Sequence, residues 1–503
     1  MDVDHVAQTW SVSIYYPLLI TGLVLLFWFQ QKRIPFPQDA PQVLKEGYPL
    51  LGALRFFTDR GNFFHDSVAA TRTGNFGFYV GCHQLIGLAG HPGRKTFFES
   101  KLLDLTTGYR VLLGTEPPSI SKRGHYDEII SYAAKFRRNF IRTMGTESLS
   151  DHLPLNIELV HETFREAGSD GLMDVFHDFD VLVHRLTMQN LGVYEIADSQ
   201  ELYQRTYNAY YQIESAKSAT RVIFPWLPTP AFITQITAGA KLYQTFSRII
   251  RQRAASEKPQ GGALQYLIDS GANTSDILHF VLNAIFASQL NTPIVVSWVV
   301  IYLATQPYWM KMVRAEIDAA LAKHGSPGET PVDVLKRLKL QQWESEFPCF
   351  NACMHESMRL HVTGSAYRMN TSGGDVPITG TKEVVPRDAL VFYLLKEVHL
   401  DPEIYPEPDK WDPRRFLSEN DQSKDTPYSF LAWGDGRHPC LGTRIAKLQM
   451  VIIVAHLVST FDLQLCDAAG RPKDDPPAAE QKYHVTSKPI VGVRVKYCRR
   501  SLD

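Results

Sequence analysis

Residues 433–450 read WGDGRHPCLGTRIAKLQM. A loop rich in glycine and proline runs into Cys440, and an apolar-periodic helix starts just behind it, with Ile445, Leu448, Val451, Ile452 and Ala455 on one face. A thiol at a helix N-terminus meets unpaired N–H groups and the positive end of the helix dipole, which favour the thiolate. Gly434, Gly436 and Gly442 let the backbone pass close to a flat ligand, and Pro439 fixes the approach to the thiol. Arg437 and His438 add positive charge. Read alone, the segment fits a ligand-bearing cysteine or a buried structural one about equally.

Two segments upstream decide between them. Glu356-Ser357-Met358-Arg359 places a carboxylate and a guanidinium at i,i+3 on one helical face. The run from His399 through Asp401, Pro402, Tyr405, Pro406 and Pro408 leads into Pro413-Arg414-Arg415-Phe416. With Trp433, Gly434, Gly436, His438, Cys440 and Gly442, these segments resemble, in order and spacing, the haem-binding loop, ExxR helix and meander of the cytochrome P-450 superfamily. Trp433 stands where a Phe is usual, and His438 where an Arg is more frequent. A zinc set drawn from Cys349, Cys353, His355 and His361 would overlap the ExxR helix and displace that pair.

The resemblance implies a mainly α fold with small β-sheets. It also implies haem b held by an axial thiolate from Cys440, with propionates bound by His438 and Arg368. Glu356, Arg359 and Arg415 would form a buried ion triad propping the cysteine loop. Electrons would come from NADPH through a separate NADPH–cytochrome P-450 reductase, docking near Arg414, Arg437, Arg444 and Lys447. The reaction implied is insertion of one oxygen atom from O2 into a lipophilic substrate, with substrate contacts near 103–120 and 362–367.

The apolar stretch 275–305 reads as a long helix capped by Thr274 or Ser275. Within it, Ser288-Gln289-Leu290-Asn291-Thr292-Pro293 occupies the place of the family's oxygen-activation motif. Thr292 matches the threonine, Asn291 stands where the acid usually is, and Gln289 replaces a glycine. Pro293 donates no N–H, so the Gln289 carbonyl is left free and the helix is expected to kink there. Thr292 and Asn291 are the candidate catalytic pair. This variant is most similar to the branch containing the bile-acid sterol hydroxylases and prostacyclin synthase. Three readings therefore stay open: an oxygen-inserting enzyme, a haem-thiolate isomerase or dehydratase needing no NADPH, and a non-catalytic haem-binding sensor or redox protein. The chain as a whole is also similar to fungal oxidases that tailor terpenoid or polyketide products in secondary-metabolite biosynthesis.

At the amino terminus, Val12 to Phe29 carries no charge, and at 1.5 Å per residue it spans about 27 Å, close to a bilayer core. Asp2 and Asp4 precede it while Lys32 and Arg33 follow, so the positive-inside rule puts the body on the cytosolic side. The expectation is a single-pass anchor over 1–31 in the endoplasmic reticulum membrane, then a haem-thiolate catalytic domain over 32–503. Pro35, Pro37 and Pro41 make the junction a stiff spacer.

Composition agrees with a large folded body: 503 residues, 44% hydrophobic and 21% charged. A net charge of −1 supplies no field for nucleic acid. Six unevenly spaced cysteines give no disulfide framework. Helical periodicity runs through 151–194, 200–217, 239–255, 275–305, 307–322 and 346–361, and strands are expected at 76–89, 382–395 and 488–498. No strand leads into a complete GxGxxG, which argues against a doubly wound dinucleotide fold.

Overall fold

Helix-forming segments with side-chain caps set the frame. Asp174, Ser199 and Thr229 accept the N–H groups of His177, Leu202 and Phe232, starting helices at Val175–Asn190, Gln200–Ser215 and Pro230–Ala254. The computed structural model describes residues 33–114, 122–256, 260–417, 426–480 and 486–500. The anchor expected over 1–31 lies outside the described residues, as does the end of the expected substrate segment 103–120. The periodic run 151–194 is two helices, Thr146–Glu166 and Val175–Asn190, with a short strand between them. Apolar residues continue across the junction, which hides the break in the sequence.

The helix Thr292–Thr305 is apolar on every side, and Val295 to Leu303 are all buried. Such a helix has no solvent face and runs through the core. Thr443–Thr460 is buried in the same way from Leu448 to Ser459. The whole stretch Thr274–Thr305 and the helix Thr443–Thr460 are long and apolar enough to cross a membrane, yet most of each is packed inside the protein.

The strands among the described residues are short: β1 (Phe76–Val80), β2 (His83–Leu88), β3 (Leu103–Asp104), β4 (Asp170–Met173), β5 (Ser365–Asn370), β6 (Val376–Pro377), β7 (Val384–Val385), β8 (Leu390–Leu394), β9 (Phe461–Asp467) and β10 (Val493–Arg499). The larger sheet has the order β1-β2-β8-β5-β3, antiparallel except between β2 and β8. A second sheet has the order β4-β10-β9, and β6 pairs with β7. The expected strand 76–89 is the β1–β2 hairpin, while β3, β4, β5, β6 and β9 were not signalled. All six residues of β5 are buried, so its sequence shows no in–out alternation.

The larger sheet positions the site. The helix Leu105–Leu112 lies directly on β5, where a Cβ at Gly108 would sit 2.5 Å from the Arg368 carbonyl carbon. The helix Gly90–Glu99 follows β2 and ends at Phe98 and Glu99, beside the cysteine loop.

Four histidines buried in this frame are held neutral. Burial pushes His184 and His399 down to about 3 and His456 to about 4, and drives His361 well below its usual value. In the unfolded chain these rings take up protons near pH 6.5, whereas in the folded one they do not. The stability they contribute is therefore complete above that pH and declines as pH falls toward the lowered values. Each is expected to cost about 1.4 kcal/mol one pH unit below its unfolded pKa. Thermal unfolding at stepwise lower pH checks this: the midpoint should drop steeply below pH about 6.5, and a flat profile would contradict neutral burial.

Candidate active site: the cysteine loop, its supports and the split helix

The loop before Cys440 is folded tightly on itself. Gly434 has φ +66°, and a Cβ there would sit 2.6 Å from the His438 carbonyl oxygen. Gly436 has φ +60°, and a Cβ there would collide with the Phe98 carbonyl. The Arg437 N–H donates to that same carbonyl at 3.0 Å, so the loop is pinned to the end of the Gly90–Glu99 helix. The Cys440 N–H donates to Trp433 O at 2.6 Å, closing the turn. Gly442 has an ordinary φ of −91°, and a Cβ there would be 3.9 Å from Cys440 Sγ. Its expected role in clearance is thus not imposed by protein atoms.

Cys440 is exposed at the start of Thr443–Thr460. The Gly442 N–H and the Thr443 hydroxyl act on its sulfur and lower its pKa, as a helix N-terminus should. The net direction is nevertheless upward: although the residue as a whole is exposed, loop and helix atoms crowd its sulfur and desolvate the thiolate. That corrects the expectation of a depressed thiol: in the protein alone, desolvation outweighs the helix end.

Around His438 the charges are one-sided. Its pKa is pushed down to about 4 by burial and then by the Arg368, Arg437 and Arg137 guanidinium groups, with Asp104 alone opposing them. Arg368 is 2% exposed on β5. Its Nη1 donates to Tyr367 O at 2.8 Å and its guanidinium lies 4.6 Å from the Phe97 ring centroid, while its Nε is without a partner among the described residues. Trp433 packs on the core with Lys447 Nζ 5.8 Å from its ring centroid, and its indole N–H is also unpaired among the described residues. A buried guanidinium with a free donor, in a pocket of cations beside an accessible cysteine, fits a flat dianion with a metal at its centre. The residues present therefore fit haem. Arg137, on the helix Lys122–Thr143, was not singled out from sequence, since one arginine in a basic helix carries no motif.

The ExxR pair is buried completely, Glu356 and Arg359 both at 0% exposure. Arg359 Nε and Nη2 donate to the two Glu356 oxygens at 2.8 and 2.7 Å. Its Nη1 donates to the carbonyls of His399 and Pro408, both at 2.7 Å. Arg415 is looser, with Nε 3.4 Å from Glu356 Oε1 and Nη2 donating to Pro406 O and Glu407 O. His399 links this triad to the cysteine loop: its Nε2 accepts the Leu431 N–H at 2.9 Å and its Nδ1 donates to Val362 O at 3.0 Å. Its neutral form is what lets Nε2 accept.

The long apolar helix is split. It runs over Thr274–Gln289, breaks at Leu290–Asn291 and resumes over Thr292–Thr305 with Pro293 in its first turn. The N-cap is Asn273, accepting from Asp276 N, and not Thr274 or Ser275. Asn291 Oδ1 accepts from the Thr486 hydroxyl, so the residue at the acid position is bound to a neighbouring segment. With its amide turned so that each atom finds a partner, the Gln289 side chain faces Val175–Asn190, its nitrogen donating to Asp180 Oδ1 at 2.7 Å and its oxygen accepting the His184 backbone N–H at 2.8 Å. Thr292 is 7% exposed, and its hydroxyl has no partner among the described residues.

Residues 173–490 match the family model described as Cytochrome P450. The chain belongs to the cytochrome P450 family. This cytochrome P450 is 30% identical over 447 residues to the cytochrome P450 monooxygenase AacuE of Aspergillus aculeatus, covering 86% of this chain and 88% of that one. It is 30% identical to the monooxygenase nsrP of Aspergillus novofumigatus, over 86% of each chain. Against the sterol 14-demethylase of Arabidopsis thaliana the identity is 26% over the whole of both chains. In fold it matches a retinoic acid-bound cyanobacterial member, CYP120A1, with TM-score 0.72 over 92% of this chain and all of that one, at 19% identity. The protein is therefore an oxidoreductase and a monooxygenase, of a family that holds haem b by a cysteine thiolate and draws electrons from a reductase.

Proposed function

We propose that this cytochrome P450 is a membrane-anchored enzyme that inserts one oxygen atom of O2 into a lipophilic terpenoid, sterol or polyketide-like substrate in secondary-metabolite biosynthesis. The observation that carries the site assignment is an accessible Cys440 beside a pocket where the Arg368 and Arg437 guanidinium groups flank a neutral His438. In this reading Cys440 would hold the haem iron through its thiolate, Arg368 and His438 would bind the propionates, and Trp433, Gly434, Gly436 and Gly442 would shape the loop. Glu356, Arg359 and Arg415 hold that loop through His399. When bound, haem supplies O2 activation, which the thiolate ligand favours by donating electron density.

The chain's own part is orientation and proton supply. Thr292, at the start of the second half-helix, offers a free hydroxyl where the backbone ladder is interrupted. The expected relay through the Asn291 amide is modified by its bond to Thr486, which leaves the NH2 group of Asn291 and the Gln289 carbonyl to hold water. Similarity to monooxygenases of two Aspergillus species and to a sterol demethylase supports a lipophilic substrate.

The anchor 1–31, the body 32–503 and residence in the endoplasmic reticulum membrane complete the proposal. Arg33, at the exit of the apolar run, donates to Gly81 O at 3.0 Å and Tyr48 O at 3.1 Å, fastening the spacer to the body. For the reductase, Arg414 is already paired with Asp412 and Arg444 with Glu344. Arg437 and Lys447 then remain as the charges for docking.

Expression with a reductase, NADPH and lipophilic extracts, followed by product analysis, tests the reading. Thr292→Val is expected to keep haem and substrate binding but to lose reducing equivalents as peroxide, lowering product per NADPH several-fold. Full coupling in that variant would remove Thr292 from the proton supply. Product formed without NADPH would show an isomerase instead.

A further inference from the structure

The helix break at Leu290–Asn291 is tied down on both flanks. On one side Thr486 binds Asn291. On the other the Gln289 amide, in the orientation that satisfies both its atoms, takes Asp180 and the His184 backbone N–H together on one turn of Val175–Asn190. Asp180 Oδ2 also accepts from the Tyr207 hydroxyl at 3.1 Å. Lys488, two residues beyond Thr486, exerts the strongest charge on Asp180. The residues that enclose the break thus bring one carboxyl to it, while the amide at position 291 cannot titrate.

We propose that Asp180 is the titrating group that supplies protons at this break, in place of a carboxyl at 291. This rests on the proton-supply role proposed for Thr292; Gln289 only orients Asp180, since an amide passes no proton on, and water carries the proton from the carboxyl to the break. In the step, the Asp180 O–H bond breaks and its proton passes to water at the break. The carboxylate left behind then takes one proton back from solvent, to which Asp180 is partly open. Burial raises the Asp180 pKa, which suits a group that must hold a proton before giving it up. Facing it are His177 on its own helix, Tyr207 and Glu214 from Gln200–Ser215, and Lys488 from the segment before β10. Lys488, Tyr207 and His177 pull its pKa down, and Glu214 pushes it up.

Two measurements on the haem-loaded full chain test this. With reductase and NADPH but no added substrate, the share of O2 released as peroxide is followed across pH. Wild type should release a larger share as pH rises through the Asp180 titration. Asp180→Asn should raise that share several-fold and flatten the profile, and Asp180→Glu should restore the pH dependence. The second measurement needs no turnover: an infrared carboxyl band should titrate in wild type, vanish in Asp180→Asn and move to higher pH in Tyr207→Phe, which removes a donor. A wild-type profile in Asp180→Asn, or a band unmoved by Tyr207→Phe, overturns the proposal. If Thr292→Val raises the peroxide share and Asp180→Asn does not, the proposal falls while Thr292 keeps its role. If neither does, both fall. Should Asp180→Asn fail to load haem, the Tyr207→Phe band shift and the Asp180→Glu profile still decide.

Discussion

Arg359→Ala is expected to yield little haem-loaded protein and to cost roughly 3–5 kcal/mol of folding stability, the usual penalty for removing one partner of a buried ion pair. The magnitude follows from what is left behind. Glu356 would remain at 0% exposure with only the Asp412 N–H at 2.9 Å and Arg415 at 3.4 Å. Burial already pushes the Glu356 pKa upward against the pull of Arg359, and without that pull it rises further. The carbonyls of His399 and Pro408 lose their donor as well, and His399 is the link to Leu431 at the head of the cysteine loop. Arg359→Lys should rescue poorly, because an ammonium cannot reproduce the forked contacts to Glu356 and two carbonyls. Denaturant unfolding and haem content per chain check this. Normal yield with full haem occupancy would mean the pair behaves as a surface salt bridge, worth about 0–1 kcal/mol.

The sequence was most legible where local chemistry and spacing coincide. The Cys440 loop, the ExxR pair and the meander each carry rigid local requirements: positive φ at Gly434 and Gly436, one helical face for Glu356 and Arg359, and prolines at fixed intervals. Pro293 announced the split helix for the same reason, since a missing N–H cannot be compensated in place. Contacts between distant segments were not legible. That Arg137 joins Arg368 and Arg437 around His438, or that Thr486 occupies Asn291, depends on packing far along the chain. The sign of the Cys440 shift failed because a helix end is visible in sequence and desolvation is not. Strand β5 escaped notice because a strand buried on both faces shows no alternation.

Cys440→Ser carries the largest spectroscopic effect. Cys440, at the start of Thr443–Thr460 in a loop that Phe98 and Trp433 hold by backbone hydrogen bonds, would offer the haem iron a soft anionic sulfur. A serine hydroxyl fits the same space but is a poor electron donor and ionises reluctantly. Cys353 is a suitable control, since it is fully buried in the Pro348–His361 helix with its pKa driven well up. The direct measurement is the absorption spectrum of the reduced, CO-bound protein in wild type, Cys440→Ser and Cys353→Ser. The thiolate signature should be present in wild type, absent in Cys440→Ser and intact in Cys353→Ser. An unchanged spectrum in Cys440→Ser would contradict the assignment of the site.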